Sequence, residues 1–172
     1  APMSYVLTLR LDATSFAAFD ALRRRHFPPE RNFLPAHVTL FHQLPEDDEA
    51  AVRPALVTAA AATPPLPLEF APPRSLGRGV AYDVRSEALL RLRRRLADAF
   101  EPWLTKQDAQ GYRPHVTVQN KATPEAARQL LAELTAASAG DGAGHPAPRT
   151  GRGEGLLLWR YAGGPWDAVD DY

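Results

Sequence analysis

The sequence has 172 residues and lacks cysteine, has a single methionine and shows no excess of charge of either sign. Without cysteine, a disulfide framework and thiolate chemistry are both excluded, and the absence favours a reducing, cytoplasmic setting. Basic and acidic residues number 20 each, so the formal net charge is zero. A chain with this balance has no broad basic surface for long nucleic acid, and any anionic ligand must meet a local patch.

Long apolar runs are missing as well. Although 45% of the residues are hydrophobic, no run approaches the roughly 18 residues of a membrane-spanning helix, so we expect no membrane partner. The sequence does not start with a charged segment followed by an apolar one, so we also expect no signal peptide. The length and the apolar fraction suit a single domain over residues 1–172 with an ordinary core.

One short motif, by contrast, occurs twice. The copies are His37-Val38-Thr39-Leu40 and His115-Val116-Thr117-Val118. Both are rich in β-branched residues and alternate strictly, which predicts strands at about 36–42 and 114–121. Residues i and i+2 of a strand share a face, so each histidine lies beside its threonine while the apolar residues seal a core. The pair indicates one cleft built from two similar halves.

The motif strands close two similar runs of strand, helix and strand. The first run covers about residues 3–42 and the second about 80–121, and a further helix follows each. This duplication predicts an α+β fold of two pseudo-symmetric lobes, each an antiparallel sheet with helices on its outer face, enclosing a central cleft. An enclosed cleft requires no second subunit, which favours a monomer.

Four other stretches are interpreted from their composition. Residues 66–70, in a proline-rich stretch, are predicted to form an edge strand, where a missing amide donor is tolerated. The arginine run 23–25 and the arginines at 91 and 93–95 end or line predicted helices, and solvated helix faces are favoured there over anion or RNA sites. The apolar residues 155–161 are predicted to lie within the sheet, before a polar, acidic tail.

With both copies intact, the chain resembles the 2H phosphoesterase superfamily, specifically its bacterial 2′-5′ RNA ligase-like, 2′,3′-cyclic phosphodiesterase branch. The resemblance runs from the strand at 3–11 to the strand at 156–161, and the lobe order and the distance between motifs match too. It implies phosphoester chemistry on a nucleotide or short RNA with a 2′,3′-cyclic phosphate or a 2′-5′ linkage, without indicating the physiological substrate. The matching residues are His37-Val38-Thr39-Leu40-Phe41 and Arg113-Pro114-His115-Val116-Thr117-Val118.

The residue types suit this chemistry on their own account. Hydrolysis of a cyclic phosphodiester needs a base that takes a proton from water and an acid that protonates the leaving ribose oxygen, and histidine can serve as either. We therefore expect His37 and His115 to be the acid/base pair and the hydroxyls of Thr39 and Thr117 to bind the phosphoryl oxygens. Such a site needs no metal, cofactor or ATP. The resemblance favours His115 as the base and His37 as the acid, although the pseudo-symmetry leaves the reverse open.

Further substrate contacts are expected from residues with the same parity along the motif strands. Phe41 can stack on a base, and Arg113 and Lys121 can pair with phosphate. His42 has the opposite parity and is expected to be structural. Tyr82 and Tyr112 are weaker candidates for base platforms. The residues with cleft-side parity are Phe41, Arg113, Gln119 and Lys121.

Two other kinds of function stay open. A non-catalytic module that binds nucleotides or RNA ends would keep the cleft, but binding alone would not require two titratable side chains. A two-histidine metal site would need a third ligand in the same cleft. The sequence shows no carboxylate or extra histidine at an obvious position for that ligand.

Overall fold

The structure is a computed structural model that describes residues 3–139 and 146–172. His145, for which the sequence predicts an exposed loop position, lies outside this part. The described backbone also contains three short 3-10 turns. The strands and longer helices are β1 (Ser4–Leu11), α1 (Ala13–His26), β2 (Val38–Leu44), α2 (Val52–Ala61), β3 (Leu66–Ser75), β4 (Val80–Arg85), α3 (Glu87–Phe100), α4 (Lys106–Ala109), β5 (His115–Gln119), α5 (Pro124–Ser138), β6 (Thr150–Tyr161) and β7 (Asp167–Asp171).

The strands form one curled antiparallel sheet with the order β2-β1-β6-β3-β4-β5, and β7 pairs with β6. Strand β6 joins the halves: residues 150–153 pair with β3, and residues 155–161 pair with β1. The predicted α+β class with antiparallel strands is confirmed, and the apolar strand near the end of the sequence does lie within the sheet. The two lobes share β6 and are therefore parts of one sheet.

Helices α1, α3 and α5 begin where the sequence places a capping side chain. Asp12, Ser86 and Thr123 stand before α1, α3 and α5, and each side chain accepts a hydrogen bond from the backbone N–H three residues later. Such a cap stabilises a helix by about 1 kcal/mol. None of the helices in the described residues has both the length and the apolar character needed to cross a bilayer.

Each lobe is covered by a helix from the other half of the chain. Phe19 of α1 packs edge-on against Phe70 of β3 and Tyr82 of β4, with ring centroids 4.8 and 5.5 Å apart. Phe100 of α3 packs edge-on against Phe41 of β2 at 5.7 Å. Tyr82 is only 2% exposed, so it belongs to the core and the interpretation as a base platform is wrong. These contacts between a helix of one half and strands of the other hold the two halves together.

The edge strand predicted at 66–70 is only partly confirmed: β3 as a whole lies between β6 and β4, but residues 66–68 pair with β6 alone. The strand pairs with β6 over residues 66–69 and with β4 over residues 69–75, so each end bonds mainly to one neighbour. Pro72 and Pro73 fall where the register with β4 shifts. Prolines are tolerated at such one-sided or irregular positions because no ladder hydrogen bond needs their missing N–H.

Candidate active site

Both motif strands contain a bulge directly after the motif threonine. In β2, Thr39 pairs with Thr8 but the next partner of β1 is Phe41, so Leu40 is passed over. In β5, Thr117 pairs with Ala81 but the next partner of β4 is Gln119, which passes over the residue after the threonine in the same way. A one-residue insertion reverses which face each following side chain occupies. The duplication thus extends to an irregularity that simple alternation does not reveal.

The bulges overturn three of the predicted orientations. Phe41 is 0% exposed and Gln119 is 6% exposed, so the prediction that both line the cleft is wrong. Gln119 is buried deeply enough that its Oε1 has no hydrogen-bond partner among the described residues. His42, expected to point away, is half exposed and lines the cavity that contains the motif residues.

His37, Thr39, His115 and Thr117 line one cavity of about 360 Å³, referred to below as the motif cavity. This volume lies in the range of small-molecule sites. The structure therefore brings together all four residues that the repeated motif singles out. Among the residues that the structure describes, no group of three or more histidine and carboxylate side chains is arranged to hold a metal ion.

The two motif histidines are held in the same way. Nδ1 of His37 lies 2.8 Å from the backbone oxygen of Pro35, and Nδ1 of His115 lies 2.8 Å from that of Arg113. A carbonyl oxygen can only accept, so Nδ1 carries the hydrogen in each ring. Nε2 of each ring is then the nitrogen left to exchange a proton with a ligand.

The surroundings of His37 favour a neutral ring. Burial lowers its pKa to about 4, helped by positive charge at Arg23 and on the other histidines of the site, while the hydrogen bond to Pro35 acts in the opposite direction. Part of this packing comes from Trp166, whose ring centroid lies 4.9 Å from that of His37. His37 is consequently uncharged at pH 7 in the free protein and able to accept a proton.

Two arginines lie buried against the motif strands, and Arg93 is also part of the lining of the motif cavity. Arg23 is 5% exposed and Arg93 is 7% exposed, so the expectation that the arginines of α1 and α3 are all solvated is wrong for these two. Nη1 of Arg23 donates to the backbone oxygen of Thr117 at 3.0 Å, and Nε of Arg93 donates to that of Leu40 at 2.9 Å. Burial lowers the pKa of Arg23 to about 10, which still leaves it cationic at pH 7. Each helix therefore brings a positive charge against the motif strand of the other lobe.

The remaining predicted contacts lie at the margin of the site. Arg113 lines the motif cavity, but its Nη2 is paired with Oδ2 of Asp83 at 2.7 Å. Lys121 lies beyond the end of β5 with a left-handed φ of 59° and lines an adjoining groove. Tyr112 lines the motif cavity and donates its hydroxyl to the backbone oxygen of Thr39 at 2.7 Å. Burial raises the pKa of Tyr112, so it is a neutral phenol there.

Trp166 and Asp108 line the motif cavity without having been predicted. The pairing of β7 with β6 brings Trp166 to His37, but a tryptophan within a polar, acidic tail carries no periodic signal. Asp108 is 1% exposed and lies in residues 101–113, for which the sequence predicts a loop. Thr105 caps α4 by accepting the N–H of Asp108, and a threonine followed three residues later by an acid was the signal for this helix.

Known proteins resemble this chain in sequence pattern and in fold. The profile of the 2′-5′ RNA ligase superfamily matches residues 11–165. No curated protein matches the sequence. Among solved structures, LigT of E. coli complexed with 3′-AMP has a TM-score of 0.61 at 18% identity, with 100% of this chain and 98% of that chain covered. TT0787 of Thermus thermophilus has a TM-score of 0.63 at 18% identity, with 98% and 96% covered. Because the family profile spans most of the sequence, the chain belongs to the 2′-5′ RNA ligase superfamily.

Proposed function

We propose that the protein is a metal-independent phosphodiesterase that hydrolyses 2′,3′-cyclic phosphates of nucleotides or RNA ends. The observation that carries this proposal is the convergence of two histidines and two threonines on one cavity, with both histidines presenting Nε2. Membership of the superfamily supports phosphoester chemistry. The complex of LigT with 3′-AMP supports a nucleotide with a phosphate as the ligand.

The proposed reaction is an in-line displacement at phosphorus. One histidine Nε2 takes a proton from water as the water oxygen bonds to phosphorus, and the other gives a proton to the ribose oxygen as its bond to phosphorus breaks. The hydroxyls of Thr39 and Thr117 donate to the phosphoryl oxygens, which gain negative charge in the transition state. Arg23 and Arg93, which donate to backbone carbonyls of these strands, add fixed positive charge next to the site. The histidines exchange protonation states in each turnover and reset through solvent.

The low pKa of His37 supports an assignment of roles opposite to the one that the resemblance favours. A ring that is neutral in the free protein accepts the proton of water, so His37 acts as the base and His115 as the acid. With a 5′-hydroxyl in place of water, the same groups would form a 2′-5′ linkage, which is the ligase reaction of the family name.

The test is turnover of nucleoside 2′,3′-cyclic phosphates in excess chelator, with the 2′- and 3′-phosphate products separated. His37→Ala and His115→Ala should each lower kcat by about a hundredfold or more, the usual scale for loss of a general acid or base. His26→Ala is the matched control, since this histidine ends α1 and is not part of the cavity lining.

Three results would contradict the proposal. Full activity in His37→Ala would show that His37 is not a member of the acid/base pair. Loss of activity in chelator would point to a metal site. Affinity for the cyclic nucleotide without turnover by the natural protein, unchanged by His→Asn substitutions, would identify a binding module.

A further inference from the structure

A third histidine lies where the motif cavity opens into a larger groove. His42 lines both the motif cavity and this adjoining groove, which has a volume of about 760 Å³. Its side chain is 50% exposed, because the bulge after Thr39 turns it to the cavity side of β2. Other residues lining the adjoining groove include Phe33, Gln43, Gln107, Lys121 and Tyr161.

Asp108 fixes the orientation of the His42 ring. This carboxylate is 1% exposed, and its Oδ1 lies 3.2 Å from Nδ1 of His42. It also accepts the backbone N–H groups of His42 and Gln43 at 2.9 to 3.0 Å. Burial alone would raise the pKa of Asp108, but the hydrogen bonds from His42 and Gln43 outweigh burial and lower it. The ionised carboxylate can only accept, so Nδ1 donates to it and Nε2 lies on the opposite side of the ring.

The acceptor distinguishes His42 from the motif histidines. His37 and His115 donate Nδ1 to neutral backbone carbonyls, whereas the ring of His42 is balanced by a buried negative charge. With Nδ1 held by Asp108, Nε2 is the ring nitrogen left for a ligand, and an anion there would form a charge-assisted hydrogen bond with the imidazolium form of the ring. His42 is therefore placed to bind a second anionic group beside the reacting phosphate.

The rest of the adjoining groove has the chemistry of a nucleotide site. Lys121 adds a positive charge, and no aspartate or glutamate is found among the described residues that line the groove. Phe33 is 65% exposed and Tyr161 is 38% exposed, so both rings are open to contact. Aromatic rings of this kind stack on unpaired bases of single-stranded RNA.

We propose that the adjoining groove is a second nucleotide subsite, in which His42, held by Asp108, binds the phosphodiester next to the cyclic end. Phe33 or Tyr161 stacks on the base of that neighbouring nucleotide. The inference rests on the proposed function and narrows its substrate class to oligonucleotides of at least two residues, in preference to single cyclic nucleotides.

Binding of two stable ligands tests this subsite without turnover. Calorimetry would compare a ribodinucleotide that ends in a 3′-phosphate with the corresponding nucleoside 3′-phosphate. The natural protein should bind the dinucleotide about tenfold more tightly, the scale of one hydrogen bond to a charged group. His42→Gln should lower dinucleotide affinity about tenfold and change mononucleotide affinity less than about twofold. His26→Gln is the matched control and should change neither affinity.

Equal affinity of the natural protein for the two ligands would overturn the inference without any variant. An equal loss of affinity for both ligands in His42→Gln would also overturn it, because His42 would then contact only the ligand in the motif cavity. The two proposals fail separately. Dinucleotide preference without hydrolysis would refute the phosphodiesterase and leave the subsite, whereas hydrolysis without the preference would refute the subsite alone.

Discussion

At the scale of single residues, His37 and His115 hold equivalent positions in different surroundings. Trp166 packs on His37, and burial lowers the pKa of His37 to about 4. If His37 is the base, its active neutral form persists as the pH falls and is lost only when the pH passes through about 4. The acid limb of kcat/KM, which reports the free enzyme, should therefore lie near pH 4.

A substrate with an activated leaving group separates the two roles. The phenolate of bis(4-nitrophenyl) phosphate departs without protonation, so it needs a base but no acid. We expect His37→Gln to lower kcat/KM about a hundredfold on this substrate and on a cyclic nucleotide. His115→Gln should lose about a hundredfold on the cyclic nucleotide but less than about tenfold on the nitrophenyl ester. The reverse pattern would return the role of base to His115.

The sequence was sufficient to predict that the motif residues lie together, but not which faces their neighbours occupy. The shared face of His37 and Thr39 follows from two-residue alternation, which is a local property of a strand. Phe41 and His42 were placed on the wrong faces because a bulge depends on the pairing between strands. The same limit applies to Gln119. A pattern within one strand does not contain the register of its partner.

At the scale of elements, the bulge in β5 depends on a close approach of backbone to backbone. A Cβ atom on Gly79 would lie 1.9 Å from the backbone oxygen of Gln119. Gly79→Ala should therefore force the start of β4 away from the bulge and destabilise the protein by about 1–3 kcal/mol, as overpacking commonly does. Urea unfolding measures the loss. Gly111→Ala is the matched control, since a Cβ there meets nothing within 4 Å, and equal stability of the two variants would contradict this reading of the bulge.

The helices were easier to predict than the contacts of their polar faces. Capping residues such as Ser86 and Thr123 are local signals, and they mark the helix starts correctly. Charged side chains usually lie in solvent, yet Arg23 and Arg93 lie buried, each on the apolar face of its helix. Backbone carbonyls of the opposite lobe receive their hydrogen bonds, and a helix pattern cannot show a partner so distant in sequence. The acidic strand β7 was missed for the same reason, because its pairing with β6 defines it.

At the scale of the whole molecule, the duplication predicted two lobes but not how closely they are joined. Strand β6 pairs with both halves of the sheet, and α1 and α3 cover the lobes of opposite halves. Arg23 and Arg93 add hydrogen bonds across the same boundary. Neither lobe has a complete core without the other half of the chain. A sequence repeat suggests independent units, whereas these contacts favour one cooperative unit.

This organisation predicts a single unfolding transition that a ligand bridging the lobes shifts as a whole. Circular dichroism and tryptophan fluorescence should give coincident melting curves. A nucleoside 3′-phosphate at about 100 times its Kd should add about 2.7 kcal/mol of stability and raise Tm by roughly 5–10 °C for a chain of this size. His37→Ala and His115→Ala should each remove most of the shift, because the ligand needs both motif strands. Two separate transitions would mean that the lobes fold independently. A full Tm shift in either alanine variant would mean that the ligand binds to one lobe independently of the other.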